Sequence, residues 1–195
     1  MLEIVVASHN KGKVHEFNHL LHLETVKLLT LDEVGLAKFE VDETAPTYEG
    51  NAFLKAKTIG DKTRHLTIAD DSGIEVASLG GKPGVHSARY IKGSDKDRCR
   101  HMLKELEGKE NRDAKFVCVI VLYDPTKNEK HVFRGEVHGI ITTEMMGDDG
   151  FGYDPLFVPA GQHKTMAQLG NDVKNTISHR AVAAHGLREW LLSHQ

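Results

Sequence analysis

The stretch Leu66–Val76 constrains the fold more than any other, because an apolar run there leads directly into charged and flexible residues. Leu66, Ile68 and Ala69 are typical of a buried strand, and Asp70-Asp71-Ser72-Gly73 is typical of a turn that ends one. Ligands of α/β proteins bind just past the carboxyl ends of strands, where adjacent acids need a positive neighbour. Side chains alternate along a strand, so only one carboxylate would face such a site. We therefore expect a ligand site here, with a plain turn as the alternative.

Size and charge narrow the class of protein. The 195 residues suffice for one well-cored domain with two lobes, and a formal net charge of −3 provides no basic field for attachment to nucleic acid. The longest apolar run, residues 116–123, is far too short to cross a bilayer, and the N-terminus lacks the basic start of a signal peptide. Cys99 and Cys118 form no CxxC pair. We therefore expect a reduced, cytoplasmic protein without nucleic-acid or membrane partners.

The N-terminal segment predicts a strand, a polar loop and a helix. Residues 3–7 form the strand, Ser8-His9-Asn10-Lys11-Gly12-Lys13 the loop, and Val14 and Phe17 begin an apolar stripe at helical spacing. The free N–H groups and the dipole of such a helix start attract anions, and the lysines add charge. The loop matches neither the Walker A sequence nor the dinucleotide fingerprint.

The helix that follows contains a formal match to a zinc-binding pattern. His15-Glu16-Phe17-Asn18-His19 fits His-Glu-x-x-His, in which two histidines share a zinc ion. The chain holds 13 histidines, and the further Gly and His of the metzincin pattern are missing. A solvated, His-rich helix face is therefore the preferred interpretation.

Hydrophobic periodicity predicts the remaining elements. These are a strand at residues 26–31, a helix from Tyr48 to about Thr63 capped by Thr47, a helix at 95–106, antiparallel strands at 114–123 and 131–141, a helical turn at 164–169, and a terminal helix capped by Ser178. Trp190 lies at helical spacing from Leu187 and Leu191, which predicts a core position. The two long strands indicate a second lobe, so we expect an α/β fold with a mixed central sheet and flanking helices.

A glycine-rich aromatic segment follows the long strands. Gly150 and Gly152 flank Phe151, which lets a ligand ring approach closely, and Pro155 holds Asp154 extended.

Ordered blocks along nearly the whole chain resemble the Ham1-like inosine triphosphate pyrophosphatases. They are Ser8-x-Asn10-x-x-Lys13-x-x-Glu16, Glu43-Thr44-x-x-Thr47-Tyr48-x-x-Asn51-Ala52-x-x-Lys55-Ala56, Ala69-Asp70-Asp71-Ser72-Gly73-Ile74-Glu75-Val76, Leu79-Gly80-Gly81-x-Pro83-Gly84-Val85-x-Ser87-Ala88-Arg89-Tyr90, Gly150-Phe151-Gly152-Tyr153-Asp154-Pro155 and Lys174-Asn175-x-x-Ser178-His179-Arg180. The chain departs from the family at Ala45, where Gly is usual, at His86, where an aromatic is usual, and at Gln168, where Glu is common.

The resemblance implies an elongated, two-lobed architecture of the ITPase and Maf-like kind, with a central substrate cleft in a single domain over residues 1–195, and a homodimer. It implies Mg²⁺-dependent hydrolysis of non-standard purine nucleoside triphosphates (ITP, dITP, XTP) to monophosphate and pyrophosphate. Ser8, His9, Asn10, Lys11, Gly12 and Lys13 would hold the triphosphate. Glu43 and Asp71 would hold the metal, with Asp71 as base for the attacking water. Ser72, Phe151, Gly152, Tyr153, Asp154, Lys174, His179 and Arg180 would contact the substrate.

The physical chemistry of these residues agrees with that activity. Phosphoryl transfer needs charge neutralisation and positioning more than a covalent nucleophile. Phe151 and Tyr153 offer stacking area, and Asp154 with Arg180 or His179 would match the ring N–H and carbonyl of a 6-oxo purine. Adenine reverses both groups and leaves them unpaired, whereas guanine shares them. The alternatives are a Maf-like pyrophosphatase acting on pyrimidine or modified nucleotides and a nucleotide-binding regulator without catalysis.

Overall fold

Helices and strands occur along the chain in the predicted order. The computed structural model describes residues 1–194, and these contain β1 (Leu2–Val6), α1 (Lys11–Leu20), β2 (Val26–Leu29), α2 (Tyr48–Thr63), β3 (Leu66–Val76), α3 (Asp95–Glu105), β4 (Asp113–Asp124), β5 (Glu129–Ile141), β6 (Phe157–Pro159), α4 (Met166–Ile177) and α5 (His179–Ser193). Thr47 caps α2 by accepting the Gly50 N–H at 3.1 Å, as predicted. Each long element is of the type, helix or strand, that its hydrophobic periodicity predicts.

The strands form a mixed sheet in the order β2-β1-β3-β4-β5-β6. β1 is parallel to both of its neighbours, with Leu2 opposite Val26 and Ile4 opposite Leu66. β6 is antiparallel to β5. The predicted mixed central sheet with flanking helices is therefore confirmed, while the elongated two-lobed shape stays a prediction.

The predicted turn at Asp70 and Asp71 is wrong, because β3 continues unbroken to Val76. Ile74 and Val76 are completely buried, and Ser87 Oγ accepts the Ile74 N–H at 2.9 Å. This packing outweighs the local turn preference of the acidic residues. The predicted alternation of the carboxylates does hold: Asp70 contacts α1 and Asp71 contacts α2.

The C-terminal region differs from expectation in extent. The predicted helical turn is the start of α4, which runs to Ile177 through a non-helical Gly170 with φ of 77°. β6 was not predicted, since three residues are too few to show a period. Gln168 belongs to a capping box at the start of α4, where its side chain accepts the Thr165 N–H at 3.0 Å. Ser178 caps α5, as predicted, by accepting the Ala181 N–H at 3.1 Å.

The chain divides into two compact units, which we call unit 1 (Met1–Asp71, Cys118–Gly135 and residues from Val182 onward) and unit 2 (Ser72–Val117 and Glu136–Ala181). Successive residues of β1 pack into two different hydrophobic cores of unit 1, Ile4 into one and Val5 into the other. Trp190 is half-buried against the core that contains Ile4, which confirms its predicted packing.

The exposure of the α1 histidines agrees with the predicted solvated helix face. His15 and His19 are exposed on α1, so the His-rich helix face is solvated, while Glu16 is buried. Cys99 in unit 2 and Cys118 in unit 1 are both buried, and neither forms a disulfide bond within the described residues. Within residues 1–194, no helix combines the length and the apolar character required to span a membrane.

Candidate functional site

The predicted polar loop lies between β1 (Leu2–Val6) and α1 (Lys11–Leu20). Asn10 is the N-cap of α1, and its Oδ1 accepts the Lys13 N–H at 3.1 Å. Ser8 Oγ accepts the Asn10 N–H at 3.2 Å, and a ring nitrogen of His9 lies 2.8 Å from the Phe39 carbonyl oxygen. The loop side chains of residues 9–11 remain exposed. The sequence therefore predicted the position of this loop correctly, and the loop backbone is held by its own polar side chains. Binding of the triphosphate by this loop stays a prediction.

Carboxylates and lysines converge in unit 1 behind that loop. Lys13 Nζ lies 3.0 Å from Asp70 Oδ2, and that carboxylate is fully buried. Lys55 Nζ lies 2.5 Å from Glu43 Oε1 and donates to the Asp70 carbonyl at 2.7 Å. Asn51 Nδ2 donates to Asp71 Oδ2 at 3.0 Å. We call Glu43, Asp70 and Asp71 the carboxylate cluster.

Asn51, Lys55 and Asp70 were not predicted as site residues, although each makes a central contact here. One signal was available, because Asn51 and Lys55 lie four residues apart and therefore on one face of α2. Asn51 is fully buried, and its Oδ1 also accepts the Ala45 N–H at 2.9 Å. This amide thus connects Asp71 to the segment that carries Glu43.

Burial raises the pKa of Asp71 above its ordinary value. The positive charge of Lys55 and the hydrogen bond from Asn51 oppose that rise, whereas the negative charge of Glu43 adds to it. Glu43 and Asp71 are therefore close enough to interact electrostatically. Such a pair of acids gains from any additional cation that enters the cluster.

The donor chemistry of the carboxylate cluster fits Mg²⁺. Glu43 and Asp71 offer only hard oxygen ligands, which suit this ion. Within the described part of the chain, no three His, Cys, Asp or Glu side chains are arranged as a metal-binding group. Two carboxylates are nevertheless sufficient, because Mg²⁺ keeps several waters and binds substrate phosphates as well.

A second group of predicted residues converges in unit 2 around Phe151. Lys174 Nζ lies 4.3 Å from the centre of the Phe151 ring, and Arg180 Cζ lies 5.7 Å from it. Arg180 is fully buried and donates to Ser72 Oγ at 3.0 Å. We call Phe151, Lys174 and Arg180 the aromatic–cation cluster. Its cations stabilise the position of the ring through its π face.

Asp154 connects the members of this cluster. Its Oδ2 accepts from Lys174 Nζ at 2.6 Å and from the Phe151 N–H at 2.9 Å. A Cβ atom at residue 150 would lie only 2.2 Å from the same oxygen, which explains the glycine there. These contacts position Lys174 and Phe151, while a hydrogen bond from Asp154 to a purine N–H stays a prediction.

The other two rings of the predicted site are buried. Tyr153 is 3% exposed and donates its hydroxyl to the Ser87 carbonyl at 3.0 Å; burial raises its pKa. His179 stacks on Phe116 with centroids 4.6 Å apart and planes 8° apart. Phe151 is only partly buried and is therefore the better candidate of the two predicted stacking rings.

The predicted phosphate- and metal-binding residues thus all lie in unit 1, and the predicted base-contacting residues all lie in unit 2.

Residues 4–190 match the model of the Ham1 family. The dITP/XTP pyrophosphatase of Bacillus licheniformis is 45% identical over 188 residues, which cover 94% of each chain. The enzyme of the same name from Bacillus subtilis is 43% identical over 196 residues, 98% of each chain.

Solved structures give the same result. The Ham1 protein of Staphylococcus aureus superimposes with a TM-score of 0.89 at 39% identity, covering 99% of this chain and 100% of its own. A HAM1 protein from Coxiella burnetii reaches a TM-score of 0.91 at 36% identity with the same coverage.

Proposed function

Because the chain belongs to the Ham1 family, we propose that it hydrolyses non-standard purine nucleoside triphosphates (ITP, dITP and XTP) to the monophosphate and pyrophosphate, and so removes deaminated purines from the nucleotide pool. The observation that carries this proposal is identity of 43–45% to dITP/XTP pyrophosphatases over 94–98% of the chain. The carboxylate cluster and the aromatic–cation cluster would supply the groups that the reaction requires.

The residues of unit 1 support the phosphate chemistry. Glu43 and Asp71 would hold Mg²⁺, which when bound neutralises charge on the phosphates. Lys13 and the exposed start of α1 would hold the triphosphate. Asp71 would accept the proton of the attacking water as the α–β anhydride bond breaks and pyrophosphate leaves.

The residues of unit 2 support recognition of the base. Phe151 would stack on the purine, and Arg180 or His179 would donate to a carbonyl oxygen at C6. Adenine presents an amino group at that atom, so its donor would meet the donors of the protein. Recognition of a 6-oxo purine is therefore favoured over recognition of adenine.

The proposal includes a homodimer and a cytoplasmic location. The buried, reduced thiols of Cys99 and Cys118 suit a reducing compartment. The homodimer is carried by the resemblance to the family, and light scattering of the purified protein at micromolar concentration tests it.

A substrate screen with the purified protein and Mg²⁺ tests the function. Released pyrophosphate is measured for ITP, dITP, XTP, GTP, ATP, TTP and UTP. We expect kcat/KM for ITP to exceed that for ATP by about 10²-fold or more, because the mismatch leaves polar groups unpaired. Faster hydrolysis of TTP and UTP would indicate a Maf-like activity, and binding without pyrophosphate release would indicate a regulator.

Replacement of Arg180 by lysine tests the role of the guanidinium in reading the base. We expect the preference for ITP over ATP to fall about tenfold, because lysine keeps the charge but lacks the planar fork. The preference is measured as the ratio of the two kcat/KM values. Arg188 is on the same helix as Arg180 but belongs to unit 1. Arg188→Lys should therefore leave the ratio unchanged. An unchanged ratio in Arg180→Lys would place base recognition elsewhere.

A further inference from the structure

Both polar backbone groups of Gly152 are bound by side chains of α3. Asp95 Oδ2 accepts the Gly152 N–H at 2.7 Å. Cys99 Sγ donates to the Gly152 carbonyl at 3.3 Å. Asp95 and Cys99 are four residues apart and therefore project from one face of the helix. One turn of α3 thus fixes the peptide groups on either side of this glycine.

These contacts act directly on the orientation of Phe151. Gly152 has a φ of +64°, in the left-handed region that glycine adopts without strain. The preceding N–H, of Phe151, is bound by Asp154 at 2.9 Å. The backbone is therefore held on both sides of the Phe151 side chain, which is itself only partly buried. The orientation of the ring depends on this backbone as well as on the cations near its face.

The two side chains on α3 are suited to a permanent contact. Arg98 forms an ion pair with Asp95 and also donates to the Gly93 carbonyl at 2.8 Å, so Asp95 is itself held in place. Cys99 is 1% exposed, and burial raises the pKa of its thiol to about 12. The thiol therefore keeps its proton at neutral pH and remains a donor.

We propose that Asp95 and Cys99 are positioning residues for base recognition, which hold the Gly152 backbone so that the Phe151 ring presents its face to the purine. This inference rests on the proposed function, because it assigns a purpose to the ring that would stack on the substrate. Neither side chain is expected to touch the substrate, and the sequence patterns gave neither of them a role in the site.

The first test replaces Asp95 by alanine. We expect KM for ITP to rise about tenfold and kcat to change less than about twofold, because the ring binds the base without taking part in bond breaking. The preference for ITP over ATP should fall in parallel. Amide hydrogen exchange of residues 150–154, without nucleotide, should be about tenfold faster, because Gly152 loses its acceptor.

Asp97→Ala is the matched control. Asp97 is also in the first turn of α3, where its negative charge interacts favourably with the helix dipole. Its replacement by alanine removes that interaction and the capping box with Ser94. Its side-chain contacts are with Ser94 and Arg100, away from Gly152. We expect KM, base preference and exchange of residues 150–154 to stay at the values of the unmodified protein. Equal effects of the two variants would overturn the proposal in favour of simple stabilisation of α3.

Cys99 allows a rescue experiment. Cys99→Ala removes the donor and should raise KM for ITP about threefold, whereas Cys99→Ser keeps a donor and should restore about half of that change. Equal KM values for the serine and alanine variants would overturn the role of the thiol hydrogen bond.

Failure of this inference is distinguishable from failure of the proposed function. If the unmodified protein releases no pyrophosphate from ITP, the proposed function fails, and the exchange experiment still tests whether α3 holds Gly152. If the unmodified protein is active but Asp95→Ala has the same KM and exchange rates, only the positioning role is overturned.

Discussion

The Asp71→Asn variant should hydrolyse ITP with kcat lowered by about 10³-fold, because loss of a general base alone costs 10²–10⁴ in rate. The substitution also weakens the candidate ligand set for Mg²⁺. In the unmodified protein, Asn51 Nδ2 donates to Asp71 Oδ2 at 3.0 Å. The side-chain oxygen of an asparagine at residue 71 can accept the same hydrogen bond, so the local geometry should persist. Initial rates of pyrophosphate release at saturating ITP and Mg²⁺ measure the effect.

The same substitution should raise the free energy of unfolding at pH 7 when EDTA removes divalent cations. Burial raises the pKa of Asp71 above 3.8, so the native state binds more protons than the unfolded state between 3.8 and the raised value. Stability therefore falls as pH rises through that window, and the ionised carboxylate destabilises the fold at neutral pH. Asparagine removes this cost. Urea unfolding at pH 7 and near pH 3 should show a difference that disappears at the lower pH.

Asp113→Asn is the control for both measurements. Asp113 is exposed at the start of β4, and neither kcat nor stability should change. Full activity in Asp71→Asn would remove Asp71 as base and as metal ligand. A loss of stability in that variant at pH 7 would mean that the charged form is favoured in the fold.

Element types could be predicted from the sequence because they depend on the period of apolar residues along the chain. The misplaced end of β3 shows the limit of this approach. Asp70, Asp71 and Ser72 favour a turn locally, but the buried side chains of Ile74 and Val76 require the strand to continue. That requirement comes from neighbours distant in sequence, such as Ser87, and no local pattern reports it.

In the candidate site, the sequence likewise predicted individual residues but not the contacts between them. Ordered motifs identified Lys13, Asp71 and Lys174, yet they did not reveal that Lys13 pairs with Asp70 or that Lys174 pairs with Asp154. These partners lie 57 and 20 positions apart in the numbering, so only the fold brings them together. The hold of α3 on Gly152 was hidden for another reason. It is made to a backbone group, which leaves no mark in the pattern of side chains.

Replacement of Lys174 by methionine should lower the free energy of unfolding by about 3 kcal/mol, since breaking a buried ion pair by removing one partner costs about 3–5 kcal/mol. Lys174 and Asp154 are 3% and 4% exposed in their side chains, and their charged atoms are 2.6 Å apart. Methionine fills a similar volume to lysine. The loss of stability therefore reflects the buried Asp154 carboxylate, which no longer has the charge of Lys174 beside it, more than a cavity. The value lies at the lower end of the range because Asp154 keeps the Phe151 N–H. Urea unfolding measures it.

The double variant Lys174→Met with Asp154→Asn shows whether the stranded charge is the cause. An asparagine at residue 154 is neutral and still accepts from the Phe151 N–H, so we expect the double variant to regain about 2 kcal/mol relative to Lys174→Met alone. Lys164→Met, at an exposed position just before α4, should change stability by less than about 0.5 kcal/mol. If the double variant is less stable than Lys174→Met, the two substitutions damage the fold independently. Lys174 would then stabilise unit 2 through its contact with the Phe151 ring rather than through Asp154.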